Sequence, residues 1–107
     1  MTGKVLLVED EMFVRELYER VLKQEGLDVR TAVDGLSGLE AAAEKPDLIL
    51  LDIMMPGING IEVLQRLKQD PNTRTIPIVL LTNLGQESVI KQALDLGASG
   101  YLMKVRI

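Results

Sequence analysis

The sequence predicts a single α/β domain built on a doubly wound, five-stranded parallel sheet. Three observations support this: short aliphatic runs alternate with helical patterns, the strands are apolar almost throughout, and the chain has only 107 residues. Strands of this kind are typical of a parallel sheet that helices cover on both faces. Right-handed crossovers then favour an open sheet, because a closed barrel of eight βα units needs about 200 residues or more.

The first three elements follow from hydrophobic patterns. Lys4–Val8 is an aliphatic run and is predicted as the first strand. Apolar residues then recur at positions i, i+3, i+4, i+7 and i+8, which predicts a helix over about Glu11–Gln24. Gly26 ends this helix, because glycine accepts the positive φ common at helix C-termini. The second strand is predicted over about Leu27–Ala32.

Turn-forming residues bound the second helix and the third strand. Asp34 is expected to cap a helix of about Gly35–Glu44, and Pro46 is expected to end it. The predicted buried side of this helix comprises Leu36, Leu39, Ala42 and Ala43. The third strand is predicted at Asp47–Leu51.

The second half of the chain repeats the alternation. A helix is predicted over about Gly60–Gln69, and a turn-rich segment separates it from a strand at Ile78–Leu81. Apolar periodicity predicts the fourth helix over about Gln86–Leu96. The last strand is predicted at Tyr101–Met103.

The composition excludes several classes of function. The chain has no histidine and no cysteine, which excludes imidazole and thiolate metal sites, disulfides and Ser-His-Asp catalysis. Its net charge is −4 and its basic residues are scattered, so we expect no direct binding of nucleic acid. No apolar run reaches the roughly 18 residues of a membrane span, and we expect no signal peptide before the first strand. These features predict a cytoplasmic protein without membrane attachment.

Acidic residues follow two of the predicted strands. Glu9 and Asp10 come directly after the first strand, and Asp52 comes after the third. The carboxyl ends of parallel strands share one edge of the sheet, so the three carboxylates converge if these two strands are neighbours. Such a cluster raises the pKa of at least one member unless a cation neutralises it. Oxygen ligands alone favour Mg²⁺, or the similar Mn²⁺.

A hydroxyl and a lysine complete this edge. Thr82 follows the fourth strand and Lys104 the fifth. Both groups suit phosphoryl oxygens, and magnesium held by carboxylates commonly accompanies a phosphate. Taken singly, Asp52 is more readily explained as a helix cap or turn residue. The ordered set of acids, hydroxyl and lysine instead predicts a phosphoryl-transfer site with Asp52 as the nucleophile.

Four segments carry a resemblance to a known family: VLLVEDE (5–11), PDLILLDIMMPGINGIEVL (46–64), PIVLLT (77–82) and GASGYLMK (97–104). In these segments the chain resembles the receiver domain of two-component response regulators, of the single-domain chemotaxis type. The resemblance covers essentially all of residues 1–107 and implies a flavodoxin-like strand order 2-1-3-4-5. It also implies a signalling module that is not a turnover enzyme and catalyses only its own phosphorylation and dephosphorylation.

The resemblance also implies roles for the acidic residues. Asp52 would accept a phosphoryl group from a sensor histidine kinase or a histidine phosphotransfer protein. The implied ligands of Mg²⁺ are Glu9, Asp10, Asp52 and the backbone carbonyl of Met54.

The same resemblance implies a switch. Thr82 and Lys104 would contact the phosphoryl group, and Tyr101 would turn inward behind Thr82. The surface that changes would comprise helix four, strand five and helix five, and would bind an output protein that the sequence does not identify.

The chain departs from the family pattern at several positions. Val105 follows the lysine where the family has a cis proline, and a non-proline cis bond costs about 3–4 kcal/mol, so this bond is either trans or strained. Asn83 replaces a small residue, and we expect its bulk to restrict access to the phosphoryl group. Met54 and Leu84 are apolar and cannot orient an attacking water. We therefore expect slow hydrolysis of phospho-Asp52.

The sequence stops at Ile107, where helix five of the family would begin. Without that helix, alternate residues of strands four and five are expected to expose apolar surface. We expect either that the natural chain continues, or that a partner or an exchanged segment of a second copy covers this face.

Two other functions stay open at this point. A Mg²⁺-dependent phosphohydrolase of the haloacid-dehalogenase type would place a second acid two residues after its nucleophile, where this chain has Met54. A receiver fold that acts as a phosphate-independent interaction module is compatible with Val105 and with the chain end. A flavin or nucleotide domain is disfavoured, because no glycine-rich phosphate loop follows the first strand.

Overall fold

The computed structural model describes residues 3–83 and 85–104, and within them helices and strands alternate strictly. The elements are β1 (Lys4–Val8), α1 (Met12–Gln24), β2 (Asp28–Ala32), α2 (Gly35–Ala42), β3 (Leu48–Asp52), α3 (Gly60–Gln69), β4 (Ile78–Thr82), α4 (Glu87–Asp95) and β5 (Gly100–Met103). Every predicted element is present, with bounds that differ from the prediction by two residues at most. Within the described ranges, no helix is long and apolar enough to cross a membrane.

The five strands form one parallel sheet in the order β2-β1-β3-β4-β5. This confirms the doubly wound topology and the flavodoxin-like strand order. β1 and β3 are neighbours, with Val8 opposite Leu51. Glu9 and Asp52, the next residue of each segment, therefore come side by side at the C-terminal edge. Thr82, the last residue of β4, lies one strand further along the same edge.

Two apolar clusters cover the two faces of the sheet. The larger one joins the strands to α2, α3 and α4, and includes Leu51 and Leu64, both fully buried. The smaller one lies under α1, where Tyr18 and Leu22 pack against Leu7 and its neighbours. Full burial of one aliphatic side chain contributes about 1.5–3 kcal/mol. The strand ends that carry the polar residues are therefore held on a rigid support.

We predicted exposed apolar surface on the α1 side of β4 and β5, and β5 is only partly covered on both of its faces. This strand exposes about half of each large side chain: Tyr101, Leu102 and Met103. The predicted exposure does not extend to β4 as a whole, because Leu81 is fully buried there. Leu84 and residues 105–107 lie outside the described residues, and so do the Lys104–Val105 bond and the chain end. The predicted cover for this face stays a prediction.

The buried side of α2 differs from the prediction. Leu36 is 57% exposed and Ala43 is also exposed, whereas Ala42 is buried as predicted and Leu39 is partly buried. The helix also buries Gly35, Gly38 and Ala41. A Cβ at Gly38 would lie 3.0 Å from the side chain of Val8, so the helix packs on β1 through its smallest residues. The helix also ends earlier than predicted, at Ala42. Three i→i−3 bonds tighten the turn that follows, which finishes at Lys45 with φ = 56°.

Candidate functional site

Three carboxylates meet at the C-terminal edge of the sheet. Asp52 is the last residue of β3, inside the strand rather than just past it, and Glu9 directly follows β1. Glu9 and Asp52 are buried, whereas Asp10 is exposed. One carboxylate oxygen from each residue lies within 4.8 Å of the others. The structure thus brings together the three acids that the sequence predicted at this edge. The cluster is open to solvent on the side of Asp10.

Backbone N–H groups orient the two buried carboxylates. The N–H of Glu11 donates to Glu9 Oε2 at 3.1 Å, and the N–H of Met54 donates to Asp52 Oδ1 at 3.1 Å. The Glu9 N–H itself donates to the carbonyl of Ala32 at 3.0 Å, which ties the loop to β2. Each buried carboxylate therefore has one oxygen fixed by the backbone, and its second oxygen is left for another partner.

Lys104 supplies that partner. Its Nζ lies 2.7 Å from Glu9 Oε1 and 3.0 Å from Asp52 Oδ2, and its side chain is only 8% exposed. Burial lowers the pKa of Lys104, but the hydrogen bonds and charges of Glu9 and Asp52 outweigh it and raise that pKa above its usual value. The lysine therefore stays charged and bridges β1, β3 and the end of β5.

The surroundings of Asp52 raise the pKa of its carboxyl group. Burial, and then hydrogen bonding and charge repulsion from Glu9, raise the pKa of Asp52 to about 7, although Lys104 opposes the shift. One ammonium is therefore insufficient to stabilise the charge of both buried carboxylates. A second cation at this position would lower the pKa of Asp52 and keep it ionised, as a nucleophile requires.

The residues present fit a hard divalent cation. Apart from their ion pairs with Lys104, Glu9 Oε1 and Asp52 Oδ2 have no hydrogen-bond partner among the described residues, although both atoms are buried. Two buried carboxylates that share one ammonium keep an excess of negative charge, which is costly unless a further cation neutralises it. Together with Asp10 they form an oxygen-only donor set, which suits Mg²⁺ or Mn²⁺ better than softer metals.

The predicted switch residues lie on adjacent strands. Thr82 is fully buried, and its hydroxyl donates to the carbonyl of Leu102 at 3.3 Å and contacts Met103 Sδ at 3.5 Å. Tyr101, on β5, is 50% exposed, so its ring is not packed inward behind the threonine. In this structure both side chains are engaged with β5 or with solvent rather than with the carboxylates.

Two other predicted positions flank the acids. Met54 presents its N–H to Asp52, and its side chain is exposed. The ligand role of the Met54 carbonyl stays a prediction. Asn83 is exposed, and its N–H donates to Gln86 Oε1 at 2.7 Å, which holds the loop before α4.

The sequence analysis did not single out two residues that shape this edge. A Cβ at Gly60 would lie 2.5 Å from the Asp52 carbonyl oxygen, so only glycine lets α3 begin this close to β3. Arg15 Nη1 donates to the carbonyl oxygens of Glu9 and Asp10. The only sequence signals were a glycine at a helix start and an arginine one turn into a helix, and both are common elsewhere.

Comparisons of the sequence with known proteins agree with one another about the family. A family model described as the response regulator receiver domain matches residues 5–106. The chain is 45% identical over 105 residues to the response regulator PleD of Caulobacter vibrioides, covering 97% of this chain and 23% of that protein. It is 41% identical over 102 residues to the DNA-binding dual master transcriptional regulator RpaA of Synechocystis sp., covering 94% of this chain and 42% of that protein.

Comparison of the fold with solved structures points to the same family. The chain superposes on the crystal structure of the Vibrio cholerae chemotaxis protein CheY4 with a TM-score of 0.89 at 29% identity, covering 100% of this chain and 90% of that one. It spans less than half the length of the two sequence relatives. With a family model over nearly its whole length, sequence relatives above 40% identity and a matching fold, the chain belongs to the response regulator receiver domain family, the signalling modules of two-component systems.

Proposed function

We propose that this chain is a signalling module that is switched by phosphorylation of Asp52. The observation that carries the proposal is the buried Asp52 carboxylate, which lies within 4.8 Å of two further acids and 3.0 Å from the Lys104 ammonium at the open edge of the sheet. This arrangement suits a side chain that receives a phosphoryl group, because catalysis of phosphoryl transfer is mainly positioning and charge neutralisation.

The donor is a histidine kinase or a histidine phosphotransfer protein. An Asp52 oxygen attacks the phosphorus, a P–O bond of an acyl phosphate forms, and the P–N bond breaks with its electron pair left on the imidazole. Lys104 already contacts Asp52 Oδ2, and it would pair with an oxygen of the transferred group. Beyond this self-modification and its reversal, the chain is not a turnover enzyme.

Glu9, Asp10 and Asp52 would hold Mg²⁺, with Mn²⁺ as a substitute and the Met54 carbonyl as a further ligand. When bound, the cation would neutralise charge shared by the carboxylates and the phosphoryl oxygens. Support for this assignment comes from the two buried carboxylates of Glu9 and Asp52, which share a single ammonium and lie close to a third acid, Asp10. The raised pKa of Asp52, about 7 without a cation, supports it as well.

The output follows from the engagement of Thr82 with β5. A phosphoryl dianion on Asp52 attracts the Thr82 hydroxyl, which then leaves the Leu102 carbonyl, 3.3 Å away in this structure. Tyr101, half exposed on the neighbouring strand, turns into the space behind Thr82. This repacking changes the surface formed by α4 and β5, where an output protein in the cytoplasm binds.

One experiment tests the proposal. The protein is incubated with Mg²⁺ and acetyl phosphate, or with beryllofluoride, and Asp52→Asn serves as the matched control. We expect a Mg²⁺-dependent adduct on the wild type by intact mass spectrometry and none on the variant. No adduct on the wild type would favour a phosphate-independent interaction module, and rapid multiple turnover would favour a phosphohydrolase.

A further inference from the structure

Arg15 contacts the backbone of the acidic loop from the first turn of α1. Its Nη1 donates to the carbonyl oxygen of Glu9 at 3.0 Å and to that of Asp10 at 3.2 Å. One guanidinium nitrogen therefore holds two successive peptide groups. The residues that it holds are the first two of the three acids that precede the helix, Glu9 with a buried side chain and Asp10 with an exposed one.

This contact restrains a loop that enters α1 without a side-chain cap. Glu11, the N-cap residue of α1, makes no side-chain capping bond, whereas the N-cap side chains of α2 and α3 each accept a backbone N–H. A cap fixes the direction in which the chain enters a helix. At α1 the entering chain is the acidic loop itself, so Arg15 is the side chain of α1 that restrains it.

We infer that Arg15 is a positioning residue for the divalent cation: by clamping the carbonyls of Glu9 and Asp10 it aims their carboxylates at Asp52. The inference rests on the proposed function, because it assigns a further residue to the same site. Arg15 does not contact the cation or the phosphoryl group, and it acts only through the backbone of the two ligands.

Charge and geometry predict opposite effects for this arginine. As a nearby positive charge, Arg15 repels a divalent cation, and its removal would tighten binding. Because the side chain is partly exposed, however, solvent screens much of that repulsion. Loss of an outer-shell partner that orients a metal ligand typically weakens binding by about 10–100-fold. The geometric effect is therefore the larger one.

The test compares Arg15→Met and Arg15→Lys with wild type, and Arg20→Met is the matched control, since Arg20 is an exposed arginine on the same helix. Calorimetric titration with Mg²⁺, and with Mn²⁺ followed by electron paramagnetic resonance, gives the dissociation constants. We expect binding to weaken by about tenfold in Arg15→Met. Arg15→Lys should also weaken it, although its charge is kept, and Arg20→Met should match wild type.

Phosphorylation by acetyl phosphate provides a second readout. In Arg15→Met the rate should fall at low Mg²⁺ and recover to the wild-type maximum at saturating Mg²⁺. Unchanged or tighter Mg²⁺ binding in Arg15→Met would overturn the inference, even if its unfolding temperature falls, because the arginine would then act only on stability or charge. If wild type binds Mg²⁺ and is phosphorylated, such a result refutes this inference alone. If wild type does neither, the proposed function fails together with it.

Discussion

The clearest quantitative prediction concerns the charge of Asp52 and the stability of the fold. We consider Asp52→Asn, which keeps the shape of the side chain and removes its charge. Lys104 remains paired in this variant, because Glu9 Oε1 lies 2.7 Å from its Nζ. We expect Asp52→Asn to be more stable than wild type at neutral and alkaline pH in the absence of divalent cations.

The magnitude follows from the pKa of Asp52, which is raised from 3.8 to about 7 in the folded protein. Below the unfolded value, Asp52 is protonated in both states and carries no penalty. As the pH rises towards 7, the folded state keeps a proton that the unfolded chain releases, so stability falls relative to the variant. A shift of about three units at about 1.4 kcal/mol each limits the full penalty to about 4 kcal/mol.

Urea denaturation followed by circular dichroism between pH 4.5 and 8 measures this difference. We expect the stability advantage of Asp52→Asn to be small at the acidic end and to grow to between about 1 and 4 kcal/mol at pH 8. Asp28→Asn removes an exposed carboxylate at the start of β2 and should show little pH dependence relative to wild type. An advantage that stays flat with pH, or a variant less stable than wild type at pH 8, would refute the reasoning.

Three further predictions follow from other parts of the structure. Gly60→Ala places a Cβ 2.5 Å from the Asp52 carbonyl oxygen, so we expect a loss of about 1–3 kcal/mol in urea unfolding; an unchanged midpoint would contradict this close packing. Asn59→Ala removes the acceptor for the Glu62 N–H at the start of α3 and should cost about 1 kcal/mol, whereas an equally stable variant would show that the cap is dispensable. Phospho-Asp52 should persist for hours after the donor is removed, because the apolar Met54 cannot orient water; a half-life of minutes by mass spectrometry would disprove this.

The polar edge of the sheet could be predicted because the geometry of parallel strands is simple. Once the chain alternates strands and helices, all strand C-termini face the same side, so Glu9 and Asp52 had to meet if β1 and β3 were neighbours. Local signals were equally reliable. Asp34 caps α2 with its carboxylate, and Gly26 has the expected positive φ of 86°.

Packing distances could not be predicted in this way. Leu36 looked like a core residue by its hydrophobicity, but α2 lies so close to β1 that glycine and alanine occupy the buried face. The clamp by Arg15 depends on the path of a loop, which has no periodic signal. The hydrogen bond of Thr82 to Leu102 depends on a rotamer choice between two neighbouring strands. Each of these features is set by distances of a few tenths of an ångström.

The edge strand β5 is held at its C-terminal end by the buried ion pairs of Lys104. The Lys104 N–H donates to the Thr82 carbonyl at 2.7 Å, and its ammonium spans β4 to reach Asp52 and Glu9. Edge strands are the part of a sheet that opens most readily. Any change in the charge on Asp52 therefore changes how strongly Lys104 holds β5 in the sheet. The rate at which β5 amide protons exchange with solvent should thus report the chemical state of an aspartate two strands away.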